Sequence, residues 1–543
     1  MDCCAALSKP DDDANRTGQS RRRQGGGRRR RGQRFVLSIA AAWLALAGCG
    51  GSNRDEAAEL YRQGREHIRL GNLKEAEALA ARGWKAWRNQ PAALEYWRFR
   101  VLTAEALLAQ GKPKEALPWL AGRLPGGARF DELQARCLLD RGFAGLMLSD
   151  PGSGALLEEA GRRSRAGGFD QLTAEIEMRR GAAFARAGNA EAATRSFLLA
   201  RDLAVRSGDS YLRASALGNL GTNLLVRSRF DEAVPYFEEA LGPARKIGAR
   251  AIVANLLGNL GRCSYGLGDY DRAIDLLAKA ESLARELGDD YRRQLWLGDL
   301  GDSYAARGET GRALAAHRQA LELSRRLGEP VSTGLWLCSL SEESLASGDL
   351  ARAAEYNRQA LELAAGQTPG LRSWAPLLAG QIALARGDSA SAEARFRQVL
   401  SLTSEEEDRQ NLWAAQEGMA RLNVLARRDA RAEQYYRAAL GTIERARVRL
   451  PRNAWKLSFH ASSMRSYRDY VDFLMERGRT ERALEVAEFA RARLLAQRLG
   501  IEQTLERPVA AARFRATARS LGAALVSFWL APHRSFVWIV TGE

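Results

Sequence analysis

The chain has 543 residues, of which 46% are hydrophobic and 27% are charged, a composition typical of a soluble helical protein. Its formal net charge is +17, of which +6 lies in residues 1–34 (ten Lys or Arg against four Asp or Glu). The remaining +11 is spread over arginine-rich segments that also carry many glutamates, which indicates a solvated surface. No groove-reading motif supports a nucleic-acid-binding protein, and the six cysteines have no metal-ligand or paired spacing.

The N-terminal segment combines a basic region with an apolar run. Residues 1–34 are polar, rich in Gly and Arg and without periodicity, so they are predicted to be disordered. Residues 35–49 are apolar, too short to favour a membrane span, and end in Leu-Ala-Gly-Cys, as in a secretory signal. This ending resembles the bacterial lipobox, which implies lipidation of Cys49 and a tether over 50–56. An uncleaved anchor or a chance match is the alternative.

One unit is repeated at a spacing of 40 residues in the middle of the chain. Leu-Gly-Asn-Leu-Gly stands at 217–221 and again at 257–261, Leu-Gly-Asp-Leu-Gly follows at 297–301, and a decayed copy lies at 337–341. Glycine and alanine positions recur with the same step, among them Ala233, Ala273, Ala313 and Ala353, and Gly208, Gly248, Gly288 and Gly328. A fixed period of this length predicts a solenoid, in which each unit packs against its neighbours.

The repeated unit is predicted to be a helical hairpin. Leu217, Leu220 and Leu224 have helical spacing, and a stripe this narrow must pack on a second helix and on the next unit. Small residues such as Gly261 suit close helix approach. First helices are expected to end at left-handed glycines at Gly268, Gly308 and Gly348, and Asp269 and Asp349 are placed to cap the helices that follow.

The pattern resembles the tetratricopeptide repeat (TPR) in its longer variant. The family pattern places a large apolar residue, Leu-Gly and an aromatic residue in the first helix, and Ala, an aromatic and Ala in the second. The positions that carry the resemblance here are Leu297, Leu300, Gly301, Tyr304, Ala313 and Ala320, whereas His317 stands where an aromatic residue is usual. The resemblance implies an all-α, right-handed α-solenoid over 57–500 that binds a protein or peptide and needs no cofactor.

The resemblance also implies that first helices line the binding groove. Polar residues recur beside the buried stripe at two offsets, three residues apart and therefore on one helix face. The predicted groove residues are Asn219, Thr222, Asn259, Arg262, Asp299, Asp302, Ser339 and Glu342. This ladder changes from neutral through basic to acidic, and asparagine can both donate to and accept from an extended peptide backbone. The alternative is that these residues solvate an empty groove or cap neighbouring helices.

The C-terminal segment departs from the repeat. Residues 442–475 are predicted to form one long helix, with Pro451 tolerated at a kink or break, and 501–522 a connecting helix. Two strand-like runs within 523–543 then predict a β-hairpin. The segment before the hairpin resembles the last repeat before a CHAT domain, a caspase-like module, and 523–543 resembles the opening of that domain.

Catalytic chemistry is not predicted for this chain. CHAT domains resemble caspase-type peptidases, which use a His/Cys pair, and none of the four histidines lies in such a motif with a cysteine. No catalytic, metal or cofactor-binding residue is therefore assigned, and the chain is not expected to be an enzyme.

Three functional interpretations remain open. The first is a TPR scaffold anchored to a bacterial membrane as a lipoprotein outside the cytoplasm, on the periplasmic side or at the cell surface. The second is the recognition or regulatory arm of a CHAT-type cysteine peptidase whose catalytic part is absent from this chain. The third is a cytoplasmic regulatory TPR protein.

Overall fold

The computed structural model describes residues 40–364, 369–404, 408–448, 453–499, 508–531 and 534–543. The chain divides into two compact units. The first contains the residues up to Val226 together with Glu239–Ile252, and the second contains Arg227–Glu238 and Val253–Glu543. Both are built from helices that pair with their sequence neighbours.

The first unit consists of successive helical hairpins. Its helices are α1 (Ala40–Leu70), α2 (Leu73–Trp87), α3 (Leu94–Ala109), α4 (Pro113–Ala116), α5 (Ala128–Met147), α6 (Ser153–Ala166), α7 (Asp170–Arg186), α8 (Ala190–Arg206) and α9 (Ser210–Leu225). A 3₁₀ turn, Leu117–Leu120, follows α4. Residues of α10 (Phe230–Lys246) and α11 (Arg250–Gly266) belong partly to each unit.

One hairpin of the first unit has a shortened second helix. α4 has four residues, and Pro118, which has no backbone N–H to donate, lies in the 3₁₀ turn that follows. The Arg100 side chain on α3 donates hydrogen bonds to the carbonyl oxygens of Pro118, Trp119 and Ala121 at 2.8–2.9 Å. These bonds satisfy carbonyl groups that a longer helix would have paired internally.

The second unit continues the hairpins and ends in strands. Its helices are α12 (Tyr270–Glu286), α13 (Asp290–Ala306), α14 (Thr310–Leu327), α15 (Pro330–Ala346), α16 (Leu350–Ala364), α17 (Pro369–Ala385), α18 (Ser389–Leu402), α19 (Arg409–Leu425), α20 (Asp429–Val448), α21 (Asn453–Glu476), α22 (Thr480–Leu499) and α23 (Ala511–Leu521). The prediction of an all-α solenoid of helical hairpins is confirmed.

The turns follow the predicted chemistry. Gly268 and Gly348 have φ of 79° and 82°, in the left-handed region where glycine has no Cβ penalty. Asp269 then accepts a hydrogen bond from the Arg272 backbone N–H at 3.1 Å, and Asp349 accepts one from Arg352 at 3.0 Å. The glycine therefore ends one helix and the aspartate caps the next.

Glycine also permits close packing inside the hairpins. A Cβ added at Gly261 would lie 2.6 Å from Leu277 Cγ and 3.3 Å from the Ala273 carbonyl oxygen, so a side chain does not fit there. The fourth copy has Ser341 at this position, and its hydroxyl donates to the Ala353 carbonyl oxygen at 2.9 Å. The serine thus replaces close contact with a hydrogen bond to the facing helix.

The predicted C-terminal hairpin is present as β1 (Leu525–Trp529) and β2 (Phe536–Val540), paired antiparallel. Trp529 and Trp538 are buried in one hydrophobic cluster with residues of α21 and α22. The opposite face exposes apolar side chains: Val526, Phe528, Val537 and Ile539 are 52–69% exposed. One face of the hairpin therefore packs against α21 and α22, and the opposite face is exposed to solvent.

One segment differs from the sequence-based expectation. Residues 50–56, predicted as a tether, lie within α1, which is rich in the helix formers Ala, Glu and Arg after residue 53. In the range 442–475, predicted as one long helix with a kink or break at Pro451, α20 ends at Val448 and α21 begins at Asn453. Helices usually end before a proline, and Pro451 falls among residues 449–452, outside the described part of the chain. Residues 1–39 and the Cys49 side chain are also outside it.

Candidate functional site

The predicted groove residues fall into two groups, because they occupy both units. Asn219 and Thr222 lie on α9 in the first unit, where both are half-buried. The Asn219 side-chain nitrogen lies 3.9 Å from Met178 Sδ, and the Thr222 hydroxyl donates to the Gly218 carbonyl oxygen at 2.9 Å. These two residues therefore belong to a different unit from the other members of the predicted ladder.

The second unit carries the other members on α11, α13 and α15. We call Asn259, Arg262, Asp299, Asp302 and Glu342 the acidic surface. Ser339 belongs to the predicted ladder, but only 5% of it is exposed, on a helix that also packs against α17. Of the two ladder residues on α15, only Glu342 is therefore exposed.

An ion pair joins the first two helices of the acidic surface. Arg262 Nε on α11 lies 3.7 Å from Asp299 Oδ2 on α13, and the two side chains are 44% and 25% exposed. The pKa of Asp299 is raised to about 6, mainly by burial and also by the nearby Asp302 carboxylate, against the opposing effects of Arg262 and His317. The Asp299 carboxylate is thus held in an environment that disfavours its charge.

A buried histidine fixes the second carboxylate. His317 on α14 is fully buried; its Nε2 lies 3.2 Å from Asp302 Oδ1, and its Nδ1 lies 2.7 Å from Glu343 Oε1. Burial alone would lower its pKa, but the hydrogen bonds to these two carboxylates outweigh it and raise the pKa to about 10. The raised pKa favours the imidazolium form of His317 at neutral pH, and the ring contacts the half-exposed Asp302 from the interior of the unit.

The third carboxylate has aromatic and cationic neighbours. Glu342 is exposed, yet enough protein surrounds it that desolvation raises its pKa, as does the Asp302 carboxylate. The Trp374 indole on α17 donates a hydrogen bond to it, and Arg465 on α21 attracts it. Glu342 therefore lies beside α17, which packs on α15, and within the electrostatic reach of Arg465.

Apolar side chains accompany the carboxylates. Leu295 and Leu335 precede positions 299 and 339 by four residues, which places them on the same helix face, and both are partly buried, as is Trp374. Tyr265 on α11 is 41% exposed. The surface can therefore contact both charged and apolar parts of a ligand.

The first helices of the first unit carry a different arrangement, which the sequence analysis did not find. Five side chains from α1, α3, α5 and α7 form an arginine–glutamate network: Arg65, Arg69, Glu105, Arg136 and Glu175. The central carboxylate, Glu175, lies 2.7 Å from Arg65, 2.8 Å from Arg69 and 2.7 Å from Arg136. Burial opposes its ionisation, but the three guanidinium groups hold its pKa below the usual range.

Little of the network reaches solvent. Arg136 is 2% exposed, and Arg65 and Arg69 are 17–18% exposed. Arg69 also pairs with Asp209, at 3.0 Å. Asp140 beside the network is 6% exposed, and burial together with Glu105 raises its pKa well above the usual range. The charges of these five side chains are therefore engaged in contacts between helices of the first unit.

The described residues offer little sign of catalytic chemistry. Burial raises the thiol pKa of Cys137 and of Cys263 to about 12, and both are buried free cysteines. Among the described residues, no group of three or more His, Cys, Asp or Glu is arranged to hold a metal ion. Within the same residues, every helix is too short or too polar to be a candidate membrane span.

Comparison with known proteins identifies the repeats. A family model described as tetratricopeptide repeat matches residues 172–246, 227–286 and 252–326. No curated protein matches the sequence. Among solved structures, the apo form of RapI has a similar fold, with a TM-score of 0.50 at 12% identity over 72% of this chain and 99% of that chain.

Two further structures align less well. A Rap protein in complex with competence and sporulation factor gives a TM-score of 0.45 at 15% identity, covering 72% of this chain and 98% of that one. A signal transduction ATPase with a tetratricopeptide repeat sensor, from Pyrococcus horikoshii, gives 0.42 at 15% identity, covering 66% and 55%. The family match and the observed hairpins together establish that residues 172–326 consist of tetratricopeptide repeats within an all-α solenoid.

Proposed function

We propose that this chain is a TPR scaffold that binds an extended protein segment on the acidic surface of its second unit. The observation that carries the proposal is the contrast between the two units. The arginines and glutamates of the network in the first unit are largely buried in mutual ion pairs, whereas Asp302 and Glu342 remain accessible beside partly buried apolar groups. Peptide recognition requires polar groups that orient the ligand, next to apolar side chains against which the ligand can pack.

Neighbouring side chains hold two carboxylates of the acidic surface in place, which also supports the proposal. His317 and Glu343 hold Asp302 from the interior, and Trp374 holds Glu342. Groups fixed in this way lose little conformational entropy when a ligand binds, which favours affinity. The carboxylates are therefore already positioned before a partner arrives.

The proposed surface can be tested by capture from extracts of the native host. The chain and its Asp299→Asn/Glu342→Gln variant are immobilised side by side, with Glu322→Gln, an exposed residue on the second helix α14, as the control. We expect the double variant to lose partners that the wild type and the control retain, at an unchanged or higher melting temperature. Retention of the same partners by all three proteins would contradict the surface assignment.

We further propose that the scaffold is tethered to a membrane through lipidated Cys49, as a lipoprotein outside the cytoplasm. Support comes from the order of residues in the leader, a basic region followed by an apolar run that ends in Leu-Ala-Gly-Cys. The competing proposal, a cytoplasmic regulatory protein, requires that the leader is not a signal. Cell fractionation separates them, because recovery of the chain in the soluble cytoplasmic fraction would exclude the tether.

A second candidate function is the recognition arm of a CHAT-type cysteine peptidase. The observation that favours it is the bare apolar face of the hairpin β1–β2, since two strands rarely form a stable sheet alone. Additional strands of such a domain would cover this face and pair with the open edges. Sequencing the gene past codon 543 tests this proposal: further strand segments with a His and a Cys would support it, and an immediate stop codon would exclude it.

A further inference from the structure

The acidic surface reverses the charge sign of the chain that carries it. The whole sequence has 82 Lys or Arg against 65 Asp or Glu. On the acidic surface, three carboxylates accompany one arginine, Arg262. A local excess of negative charge on a strongly basic protein favours a ligand of opposite sign, because complementary potential governs orientation and encounter.

Three cations, Arg262, His317 and Arg465, lie near four carboxylates, those of the acidic surface and the buried Glu343. The His317 imidazolium is shared between Asp302 and the buried Glu343. Arg262 lies 3.7 Å from Asp299, beyond the range of a good hydrogen bond, and Arg465 is the cation that attracts Glu342. Asp299 and Glu342 keep raised pKa values despite these partners, since burial and the neighbouring carboxylates outweigh the attraction. An additional cation here would be stabilised.

The spacing of the carboxylates suggests the form of the ligand. α13 and α15 are in direct contact, and the axes of packed helices lie about 8–10 Å apart. Asp302 and Glu342 occupy equivalent positions of successive first helices, 40 residues apart. A segment in the polyproline II conformation presents every third side chain on one side at intervals of about 9 Å, a similar distance.

We propose that the acidic surface selects an extended segment with two arginine or lysine residues three positions apart and apolar residues between them. This inference rests on the proposed function, of which it names the ligand class. One basic side chain contacts Asp299 and Asp302 on α13 and the other contacts Glu342 on α15, while the apolar residues pack on Leu295, Leu335 and Trp374. Arginine fits best because its planar guanidinium can form two parallel hydrogen bonds with one carboxylate.

Three synthetic peptides of equal length test the charge preference. They carry arginine, glutamine or glutamate at two positions three residues apart, and their binding to the full chain is measured by fluorescence anisotropy at about 0.15 M salt, where long-range attraction is screened. Non-specific attraction to a protein of charge +17 would favour the glutamate peptide, so a preference for arginine cannot arise from net charge. The same titrations are made with Asp299→Asn, Glu342→Gln and the control Glu322→Gln.

We expect the arginine peptide to bind about tenfold more tightly than the glutamine peptide, and each surface variant to weaken it about three- to tenfold. The control should leave its affinity unchanged. Equal or tighter binding of the glutamine or glutamate peptide would overturn the inference but leave the proposed function intact. Arginine-peptide binding that is insensitive to both surface variants would also overturn it. If none of the three peptides binds, the inference and the proposed function both fail.

Discussion

The His317 imidazole occupies the space that a side chain at Gly301 would need. The ring also lies 3.1 Å from the Gly298 carbonyl oxygen and is stacked on Trp336, with 6.0 Å between ring centroids. A residue that departs from the aromatic of the family pattern therefore fits because its neighbour on the facing helix is glycine. The same pair positions a carboxylate of the acidic surface, which links repeat packing to the proposed binding site.

The His317–Glu343 pair can be exchanged for the pair of the preceding repeat. The equivalent residues there are Leu277 and Ser303, both fully buried. We expect His317→Leu alone to cost about 3–5 kcal/mol, because Glu343 is left buried without its cation. The double variant His317→Leu/Glu343→Ser should recover most of this loss in urea unfolding. A double variant that is no more stable than the single one would contradict the pairing.

The stabilising effect of His317 should depend on pH. Its pKa is raised from 6.5 to about 10 in the folded state, so folding is favoured by protonation. The contribution is complete below about pH 6.5 and is lost as the pH rises through about 10. Between about pH 6.5 and pH 10, the unfolding free energy of the wild type should fall relative to that of the double variant. A constant difference would mean that His317 is not charged in the folded protein.

Gly261 should not tolerate a side chain. Replacement with leucine places atoms against Leu277 and the Ala273 carbonyl group, so we expect a loss of about 1–3 kcal/mol in thermal or urea unfolding. Gly311 on α14 is the control, because a Cβ there meets nothing within 4 Å. Gly311→Ala should be neutral or stabilising by up to about 1 kcal/mol. If Gly261→Leu left the unfolding free energy unchanged, α11 and α12 would be able to move apart at no cost in stability.

Asp299→Asn should stabilise the protein at neutral pH while it weakens ligand binding. The groups facing Asp299 are Arg262, Asp302 and His317, and burial raises its pKa from 3.8 to about 6. The proton is therefore bound more tightly in the folded state, and stability from this group is lost as the pH rises through about 6. The variant should melt higher than the wild type at pH 7.5 and at the same temperature below about pH 4. A lower melting temperature at pH 7.5 would contradict this environment.

The two faces of the C-terminal hairpin should respond oppositely to substitution. Phe528 is 57% exposed, whereas its neighbour Trp529 is 5% exposed and packs with residues of α21 and α22. Phe528→Lys should reduce self-association in light scattering without lowering the melting temperature, because it removes exposed apolar surface. Trp529→Ala should cost about 3–5 kcal/mol. Equal effects of the two changes would mean that the hairpin is not attached by one face.

Lipidation of Cys49 stays a prediction of the leader sequence. Expression of the wild type and Cys49→Ala in a bacterial host, with labelled lipid, measures it directly. We expect label in the wild type only, since a diacyl anchor needs this thiol. Equal labelling of both proteins would exclude it.

Local patterns in the amino-acid sequence were enough to predict the repeat and the turns within it. Left-handed glycines and capping aspartates act within one or two turns, and their recurrence at a step of 40 residues can be recognised without knowledge of the fold. The close contact at Gly261 and the strands of the hairpin were predictable for the same reason.

Which side chains of different repeats meet depends on the tertiary structure. Arg65 and Glu175 are 110 residues apart, and their contact depends on how each hairpin rotates relative to the one before it. That rotation accumulates from many small packing preferences and leaves no local pattern in the sequence. For the same reason the predicted ladder could place Asp299, Asp302 and Glu342 on first helices, but not show that Ser339 is buried or that His317 lies beneath Asp302. Periodicity is a local property, whereas exposure and charge pairing arise from the stacking of whole repeats.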